Sequence, residues 1–155
     1  MQKSNVKVLT HLLSETFDLV LKTEQLALSK SFKGALSISE IHTIEAIGCQ
    51  GEKNARSMGE IAEDLDIAVA TLTVAINKLE KKGYAIRNRP PEDRRVVLIS
   101  LTRKGCVAFR IHQKYHKNLI ESTLKDLDNS EETALINALD KLNIYFKNRL
   151  IGDKI

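Results

Sequence analysis

Residues 57–101 constrain the fold of this 155-residue chain more than any other stretch. They begin with Ser57-Met58-Gly59-Glu60, an S-x-x-E capping box in which the serine and the glutamate satisfy each other's free amides at a helix start. A short helix, a turn at Asp66-Ile67 and a second helix, AVATLTVAINKLEKKG, follow in that order. Gly83 is a typical helix stop. Two short helices joined by a turn of about three or four residues predict a helix-turn-helix.

The two most convincing strands of the sequence come directly after this motif. YAIRNR (84–89) and RVVLISL (95–101) are rich in β-branched residues, and PPED (90–93) forms the turn between them. Both prolines of the chain lie in this turn, where they stiffen the tip and lower the entropy lost when it is held in place. The sequence therefore predicts a small β-hairpin with a rigid tip.

Four further segments have the apolar spacing or the start and stop signals of helices. They are residues 5–32, which end at a Lys33-Gly34 break; residues 37–48, with Ser37 or Ser39 as the cap and Gly48 or Gly51 as the stop; a long helix from Thr102 to about Leu127; and a last helix from Ser130. The predicted class is mainly α with a small β-hairpin. The chain is long enough for one domain with a real core.

The positive charge of the chain is concentrated around the hairpin. The net charge is +4, yet residues 78–104 hold nine basic and three acidic side chains, so this segment carries +6 and the remainder −2. Such a local footprint suits a polyanion. Arg87, Arg89, Arg94 and Arg95 surround the proline turn, and a stiff basic tip fits the minor groove of DNA. The alternative is a solvated hairpin with accidental arginines; the helix-turn-helix that precedes it favours DNA.

Several other classes of protein fit the sequence poorly. No apolar run approaches the roughly 18 residues that span a bilayer. There is no GxSxG, P-loop, GxGxxG or HExxH motif, so we do not expect an enzyme. RNA binding would need stacking aromatic residues in the basic segment, where Tyr84 stands alone. A pure protein-interaction module would leave the basic segment unexplained.

The N-terminus and the cysteines point to the cytoplasm. The N-terminal stretch lacks the apolar core and cleavage site of a signal peptide. Cys49 and Cys106 have no metal-ligand spacing, so we expect two reduced thiols in a cytoplasmic protein. Cys49 has no basic neighbour in the sequence that would activate its thiol, which argues against a redox sensor.

The central stretch resembles the MarR family of winged helix-turn-helix regulators. The matching pieces are SMGEIAEDLDIAVATLTVAINKLEKKGYAIR (57–87) and PEDRRVVLISLTRKG (91–105), which contain the Asp-x-Arg element Asp93-Arg94-Arg95 and an L-T-x-x-G element. The resemblance implies a winged helix-turn-helix in residues 37–105 and a helical dimerisation region in residues 1–36 and 106–155. It also implies a homodimer that binds a palindromic operator as a repressor.

Apolar residues in the terminal helices support a dimer independently of the resemblance. Residues 5–32 and 130–151 hold more large apolar side chains than a single winged helix can cover, and an interface on a two-fold axis would bury them. The alternative is that these helices pack on each other within one subunit.

The second helix of the motif is expected to enter the DNA groove. Leu72, Ile76 and Leu79 share one face and should point inward. The residues left for the groove side are Ala68, Val69, Ala70, Thr71, Thr73, Val74, Asn77 and Lys78. Small apolar groups suit contacts to thymine methyls. Because the family usually carries more polar residues here, this composition predicts an A/T-rich operator.

Contacts to the DNA backbone and the minor groove are expected from neighbouring polar and basic side chains. Lys78 and Arg56 are predicted phosphate contacts, and Asn77 is expected to bind phosphate more than a base. On the hairpin, Arg89, Arg94 and Arg95 are the predicted contacts. In the family, the arginine of the Asp-x-Arg element contacts DNA and the aspartate orients it.

Four residues in the flanking helices form a candidate metal site. His112 and His116 stand four apart in the fifth helix, so both project from one face; His42 lies on the second helix and Glu24 late in the first. Three imidazoles and a carboxylate suit tetrahedral zinc. The set is similar to that of the zinc-dependent MarR-type repressors, which implies Zn as the effector of a repressor of metal-uptake genes.

A second resemblance leads to a different ligand. ISEIHTIEAIG, LTVAINKLEKKGY, DRRVVLISLTRKG and RIHQKYHK are similar to segments of the fatty-acid-synthesis repressors of Gram-positive bacteria. Those regulators respond to long-chain acyl groups presented by acyl carrier protein, and they carry histidines at these places. The resemblance implies control of fatty-acid-synthesis genes, with the histidines forming a buried hydrogen-bonded cluster. Both ligands stay open at the level of sequence.

Overall fold

The computed structural model describes residues 3–49, 55–90 and 96–152, and the chain divides into two compact units, Met1–Tyr115 and His116–Ile155. The elements in chain order are α1 (Lys3–Phe32), α2 (Ile38–Ile47), β1 (Arg56–Ser57), α3 (Met58–Asp64), α4 (Val69–Lys81), β2 (Ala85–Asn88), β3 (Leu98–Leu101), α5 (Arg103–Leu124) and α6 (Asn129–Gly152). This order confirms the predicted class, mainly α with a small β element. Among the described residues, no helix is long and apolar enough to cross a membrane.

Capping boxes set where α2 and α3 begin. The Ser37 hydroxyl oxygen accepts from the Glu40 amide, and the Ser57 hydroxyl oxygen accepts from the Glu60 amide, each at 3.3 Å. In return, each glutamate carboxylate accepts from the amide of its serine. The box predicted at Ser57 is confirmed, and the cap of α2 is Ser37 rather than Ser39.

The last helix begins slightly before its predicted start. The Asp128 carboxylate accepts from the amide of Ser130 at 2.8 Å and from the amide of Glu131 at 2.9 Å. Asp128 therefore caps α6, because its side chain accepts hydrogen bonds from two free amides at the start of the helix.

Three antiparallel strands lie in the order β1-β3-β2. The pairing of β2 with β3 confirms the two predicted hairpin strands, and the turn residues 91–95 lie outside the described part of the chain. The third strand was not predicted: Leu98 of β3 pairs with Asn88 on one side and with Ser57 of β1 on the other. A strand of two residues is too short to show the alternating pattern that identifies strands in a sequence.

The inner face of α4 belongs to the main core. Leu72, Ile76 and Leu79 have no exposed surface, which confirms the predicted inward stripe. Complete burial of one such side chain contributes about 1.5–3 kcal/mol. The N-cap contributes less, because the side chain of Ala68 cannot accept a hydrogen bond from the free amides of the helix. Packing of this stripe therefore holds α4 in place.

The glycine of the L-T-x-x-G element permits a close approach between α5 and Tyr84, the residue directly before β2. A Cβ built on Gly105 would overlap the carbonyl oxygen of Tyr84. The same oxygen accepts a hydrogen bond from the Thr102 amide at 3.0 Å. Only a residue without a side chain fits at this crossing, which is the physical reason for glycine here.

The two cysteines form a disulfide, so the expectation of reduced thiols is wrong for this structure. Cys49 follows Gly48, the C-cap of α2, and Cys106 lies near the start of α5. Their Cα atoms are 5.2 Å apart, a normal separation for a disulfide. Because the cysteines are 57 residues apart in sequence, no local spacing rule could have revealed the pairing.

Candidate functional site

The outer face of α4 carries the residues predicted to face DNA. We call it the α4 surface; it consists of Ala68, Val69, Ala70, Thr71, Thr73, Val74, Asn77 and Lys78. All of these residues are exposed except Thr73, which is half-buried and donates its hydroxyl to the Val69 carbonyl oxygen at 2.8 Å. The exposed fractions of Val69 and Val74 are 49% and 54%. The surface thus presents small apolar groups along the helix, with a lysine towards its C-terminal end.

Arg56, a predicted phosphate contact, has partners inside its own unit. Its guanidinium donates to the carbonyl oxygen of Ala46 at 2.7 Å and forms an ion pair with Asp64. The hydrogen bond between them raises the pKa of Arg56 and lowers the pKa of Asp64. Arg56 therefore ties β1 to the end of α2 and to α3, a structural role that the sequence did not reveal. Its phosphate contact stays a prediction.

The arginines around the hairpin tip differ in their surroundings. Arg89 is exposed directly after β2. Arg87 instead forms an ion pair with Glu80 of α4 at 2.7 Å, and its backbone amide donates to the same carboxylate at 3.2 Å. The predicted contacts Arg94 and Arg95 lie outside the described residues. Of the four arginines that surround the proline turn, Arg87 therefore holds the hairpin against α4.

Two lysines of the basic segment also have structural partners. The Lys82 ammonium donates to both carboxylate oxygens of Glu40, at 2.7 and 2.8 Å, and to the carbonyl oxygen of Ala35 at 2.9 Å. The Lys104 ammonium donates to the Lys82 carbonyl oxygen at 2.7 Å and lies 4.2 Å from the ring centre of Tyr84. The charge count of residues 78–104 therefore overstates the number of basic side chains that are available to bind a polyanion.

A buried carboxylate joins two histidines within the first unit. One oxygen of Glu24 on α1 lies 3.0 Å from Nε2 of His42 on α2 and 2.8 Å from Nε2 of His112 on α5. Glu24 and His112 are almost fully buried, whereas the side chain of His42 is 43% exposed. One potential ligand atom from each residue lies within 4.8 Å of the others. The structure thus brings together three of the four residues predicted for a metal; we call them the Glu24 cluster.

A second carboxylate lies close to the other side of the His112 ring. Its Nδ1 lies 2.8 Å from a carboxylate oxygen of Glu45 on α2. Histidines that bind metals usually donate their second nitrogen to such a carboxylate, which orients the ring and increases its basicity. His116 follows one turn later on α5 and belongs to the second unit.

The Glu24 cluster is polarised so that its carboxylate is charged. Burial raises the pKa of Glu24, but hydrogen bonds from His112 and His42 outweigh burial, and the pKa lies below its ordinary value. An ionised carboxylate beside two imidazoles is a donor set that zinc accepts. The same set is also self-sufficient as a hydrogen-bonded link between three helices, since the carboxylate accepts from both rings.

Known proteins share both the sequence motifs and the fold of this chain. The MarR family model matches residues 36–97. The crystal structure of Streptococcus pneumoniae FabT in complex with DNA is 30% identical and covers 92% of this chain and 98% of the FabT chain, with a TM-score of 0.85. The chain belongs to the MarR family. A MarR family protein from Bacillus stearothermophilus, at 18% identity and a TM-score of 0.74, shares the fold.

Curated relatives of this MarR-family chain are transcriptional regulators. Transcriptional regulator ZitR of Lactococcus lactis is 33% identical over 92 residues, which are 59% of this chain and 60% of ZitR. The uncharacterized HTH-type transcriptional regulator YdgJ of Bacillus subtilis is 27% identical over 59% of this chain and 56% of its own length. The match thus spans less than two thirds of each relative. Their names agree with the expectation that the chain is not an enzyme.

Three acidic residues that contact predicted site or basic residues were not predicted from the sequence. Glu45 carries no motif, although it lies three residues after His42 and so on a neighbouring position of the same helix face, a signal that could have been used. Asp64 forms an ion pair with Arg56, eight residues away in sequence. Glu40 forms an ion pair with Lys82, 42 residues away. No sequence signal identifies partners at the larger of these distances.

Proposed function

We propose that this protein is a dimeric DNA-binding repressor of transcription that recognises a palindromic, A/T-rich operator. The observation that carries the proposal is the exposed α4 surface, presented by a fold that matches the DNA-bound FabT chain over 98% of that chain. A helix of this kind places its outer side chains in the major groove. A cytoplasmic location and a DNA-binding region in residues 37–105 belong to the same proposal.

The proposed contacts divide between base reading and positioning. Val69, Thr71 and Val74 would contact thymine methyls, which favours A/T-rich sites. Lys78 and Asn77 would contact phosphates, which position the helix without reading the sequence. The hairpin arginines, Arg89, Arg94 and Arg95, would enter the adjacent minor groove, where negative potential is concentrated.

Exposed apolar side chains support the proposed homodimer. In α1 these are Val6, Leu9, Leu12, Leu13 and Phe17, and in α6 they are Ile136, Leu139, Leu142, Tyr145 and Phe146. Apolar patches of this extent on a single chain mark interaction surfaces. Leu9→Asp should convert the dimer to monomers in analytical ultracentrifugation, whereas Leu9→Met should leave the dimer intact.

Salt-dependent operator binding tests the DNA-binding proposal. The ligand is the palindrome upstream of the protein's own gene, and Lys78→Ala is compared with Lys125→Ala, which removes an equal charge from the exposed turn after α5. Each lost phosphate contact lowers the slope of log affinity against log salt by about 0.9, so a dimer should lose about two. Lys125→Ala should keep the parent slope. Equal slopes for both variants would remove α4 from the interface.

Two effectors are proposed, each supported by different observations. An acyl ligand that controls fatty-acid-synthesis genes is supported by the sequence resemblance described above. A zinc-responsive repressor of metal-uptake genes is the second candidate. It is supported by the geometry of the Glu24 cluster and by a Glu45 carboxylate oxygen 2.8 Å from Nδ1 of His112. His116, which the sequence suggested as a fourth ligand, belongs to the second unit and stays a prediction.

One titration separates the two effectors. Operator affinity is measured for chelator-treated protein alone, with equimolar zinc, and with long-chain acyl-acyl carrier protein. A change of about tenfold, or 1.4 kcal/mol of coupling, with zinc but not in His42→Ala would establish the metal effector. A comparable change with the acyl ligand alone would establish the acyl effector and leave the cluster as a structural link. No response to either would reject both effectors while leaving DNA binding standing.

A further inference from the structure

Beyond Leu79, the C-terminal end of α4 is held by polar contacts. Leu79 is the last fully buried side chain of the helix, and Lys81 and Lys82 behind it are exposed. The proposed phosphate contacts Asn77 and Lys78 lie about one turn before this end. The contacts that fix Lys82 therefore also fix the part of α4 that is proposed to bind phosphates.

The Lys82 ammonium has one acceptor outside α4 for each of its three protons. It donates to both carboxylate oxygens of Glu40, at 2.7 and 2.8 Å, and to the carbonyl oxygen of Ala35 at 2.9 Å. The backbone of Lys82 is held as well, since its carbonyl oxygen accepts from the Lys104 ammonium at 2.7 Å. One residue thereby ties the end of α4 to α2 and to α5.

Glu40 is a fixed point for this contact. It is the third residue of α2, and its carboxylate also accepts from the Ser37 amide at 2.9 Å. Ile41 and Ile44 of the same helix have no exposed surface, so core packing anchors α2. An exposed ion pair contributes little, because water competes for both charges. The side chain of Glu40 is only 8% exposed, so water has little access to its oxygens.

We propose that the Glu40–Lys82 ion pair is a positioning pair for operator binding, which holds the end of α4 in the orientation in which its outer face fits the DNA. The proposal rests on the proposed DNA-binding function and deepens it. Neither residue contacts DNA in this role, because Lys82 acts through the placement of Asn77 and Lys78.

Loss of the pair should lower operator affinity without changing its salt dependence. Without the pair, α4 occupies the binding geometry for only part of the time, and the affinity falls by that fraction. If the fraction is about a third to a half in each subunit of the proposed dimer, the affinity falls about four- to ninefold. The bound complex still makes the same phosphate contacts, so the slope of log affinity against log salt stays that of the parent.

Two single variants and their combination test the pair on the palindrome upstream of the protein's own gene. Lys82→Met removes the ammonium. Glu40→Gln removes the opposite charge but keeps an acceptor for the Ser37 amide, as glutamine does in other capping boxes. Each single variant should bind about four- to ninefold more weakly than the parent, with the parent's salt slope. The double variant should bind no more weakly than the weaker single variant, because both changes break the same contact.

Other roles for the pair predict other results. If Lys82 contacted phosphate, Lys82→Met would lower the slope by about 0.9 for each subunit, and Glu40→Gln would strengthen binding because it frees the lysine. Either result would overturn the proposal, and so would additive losses in the double variant. If the pair only stabilised the fold, circular dichroism would show a lower melting temperature while the folded single variants bound like the parent, which would also reject the proposal.

Lys81→Met is the matched control, because it removes the same charge from the exposed neighbouring position. It should lose less affinity than Lys82→Met, and an equal loss would assign the effect to charge rather than to position. If Lys82→Met does not fold, Glu40→Gln decides alone. A parent that binds no operator would refute the proposed DNA-binding function itself, whereas single variants that match a binding parent would refute only the positioning pair.

Hydrogen exchange tests the placement of α4 without any DNA. The amides of Gly83 and Tyr84 donate to carbonyl oxygens of α4 at 2.9 and 2.8 Å. In Glu40→Gln, both amides should exchange at least about threefold faster than in the parent, because the end of α4 opens more often. The amide of Leu72, which donates to the Ala68 carbonyl oxygen near the start of the helix, should keep its rate. Unchanged exchange at Gly83 and Tyr84, or equal acceleration at Leu72, would contradict the positioning pair.

Discussion

Reduction of the Cys49–Cys106 disulfide should cost the first unit a large share of its stability. The bond joins positions 57 residues apart, and in the chain-entropy description a loop of this size restricts the unfolded chain by about 4 kcal/mol. For a chain of this length, each kcal/mol shifts the melting temperature by about 2–4 °C. The reduced protein should therefore melt about 8–16 °C below the oxidised protein.

Thermal unfolding followed by circular dichroism, with and without dithiothreitol, measures this difference on one and the same sequence. Cys49→Ala/Cys106→Ala is the matched control, because it should melt near the reduced parent and ignore the reductant. Protein concentration is held constant throughout, since the melting temperature of any protein that associates depends on it. A shift below about 2 °C in the parent would contradict this prediction. A cross-link that closes a loop of this size should restrict the unfolded chain by several kcal/mol, which is a much larger effect.

Three further perturbations test individual contacts in the fold. Gly105→Ala should destabilise the protein by more than about 3 kcal/mol in urea unfolding, because its Cβ would overlap the Tyr84 carbonyl oxygen, whereas Gly59→Ala, whose Cβ meets only a side-chain oxygen at 4.0 Å, should be neutral or slightly stabilising. Burial raises the pKa of Glu40, but hydrogen bonds from Lys82 and Ser37 outweigh burial and leave the pKa below its ordinary value of 4.5. The stabilising contribution of Glu40 should therefore be present above pH 4.5 and be lost as the pH falls below that value. Glu40→Gln should flatten this part of the stability profile and cost about 1–3 kcal/mol near neutral pH; an unchanged profile would contradict the ion pair. Leu72→Ala should cost about 2–5 kcal/mol of stability, because Leu72 is fully buried. Val69→Ala on the α4 surface should change stability by less than about 0.5 kcal/mol and weaken operator binding. The reverse pattern would mean that the face with Val69 packs against the core and the face with Leu72 points outward.

The sequence by itself determined the elements whose signals are local. The capping box from Ser57 to Glu60 and the inward stripe of α4 both rest on residues within about seven positions of each other, where the backbone of a helix dictates which side chains meet. Family resemblance extended this to the winged helix-turn-helix as a whole, because motifs from residues 57 to 105 match in order.

Only the tertiary structure decided which distant groups became partners. Lys82 binds Glu40 across 42 residues, Cys49 joins Cys106 across 57, and His112 meets Glu24 across 88. Periodicity and charge counts cannot separate a lysine committed to a buried carboxylate from one that faces solvent, nor a paired cysteine from a reduced thiol. The reason is physical: local signals report the few residues on one turn or one strand, whereas these contacts exist only after the core has closed and brought separate elements together.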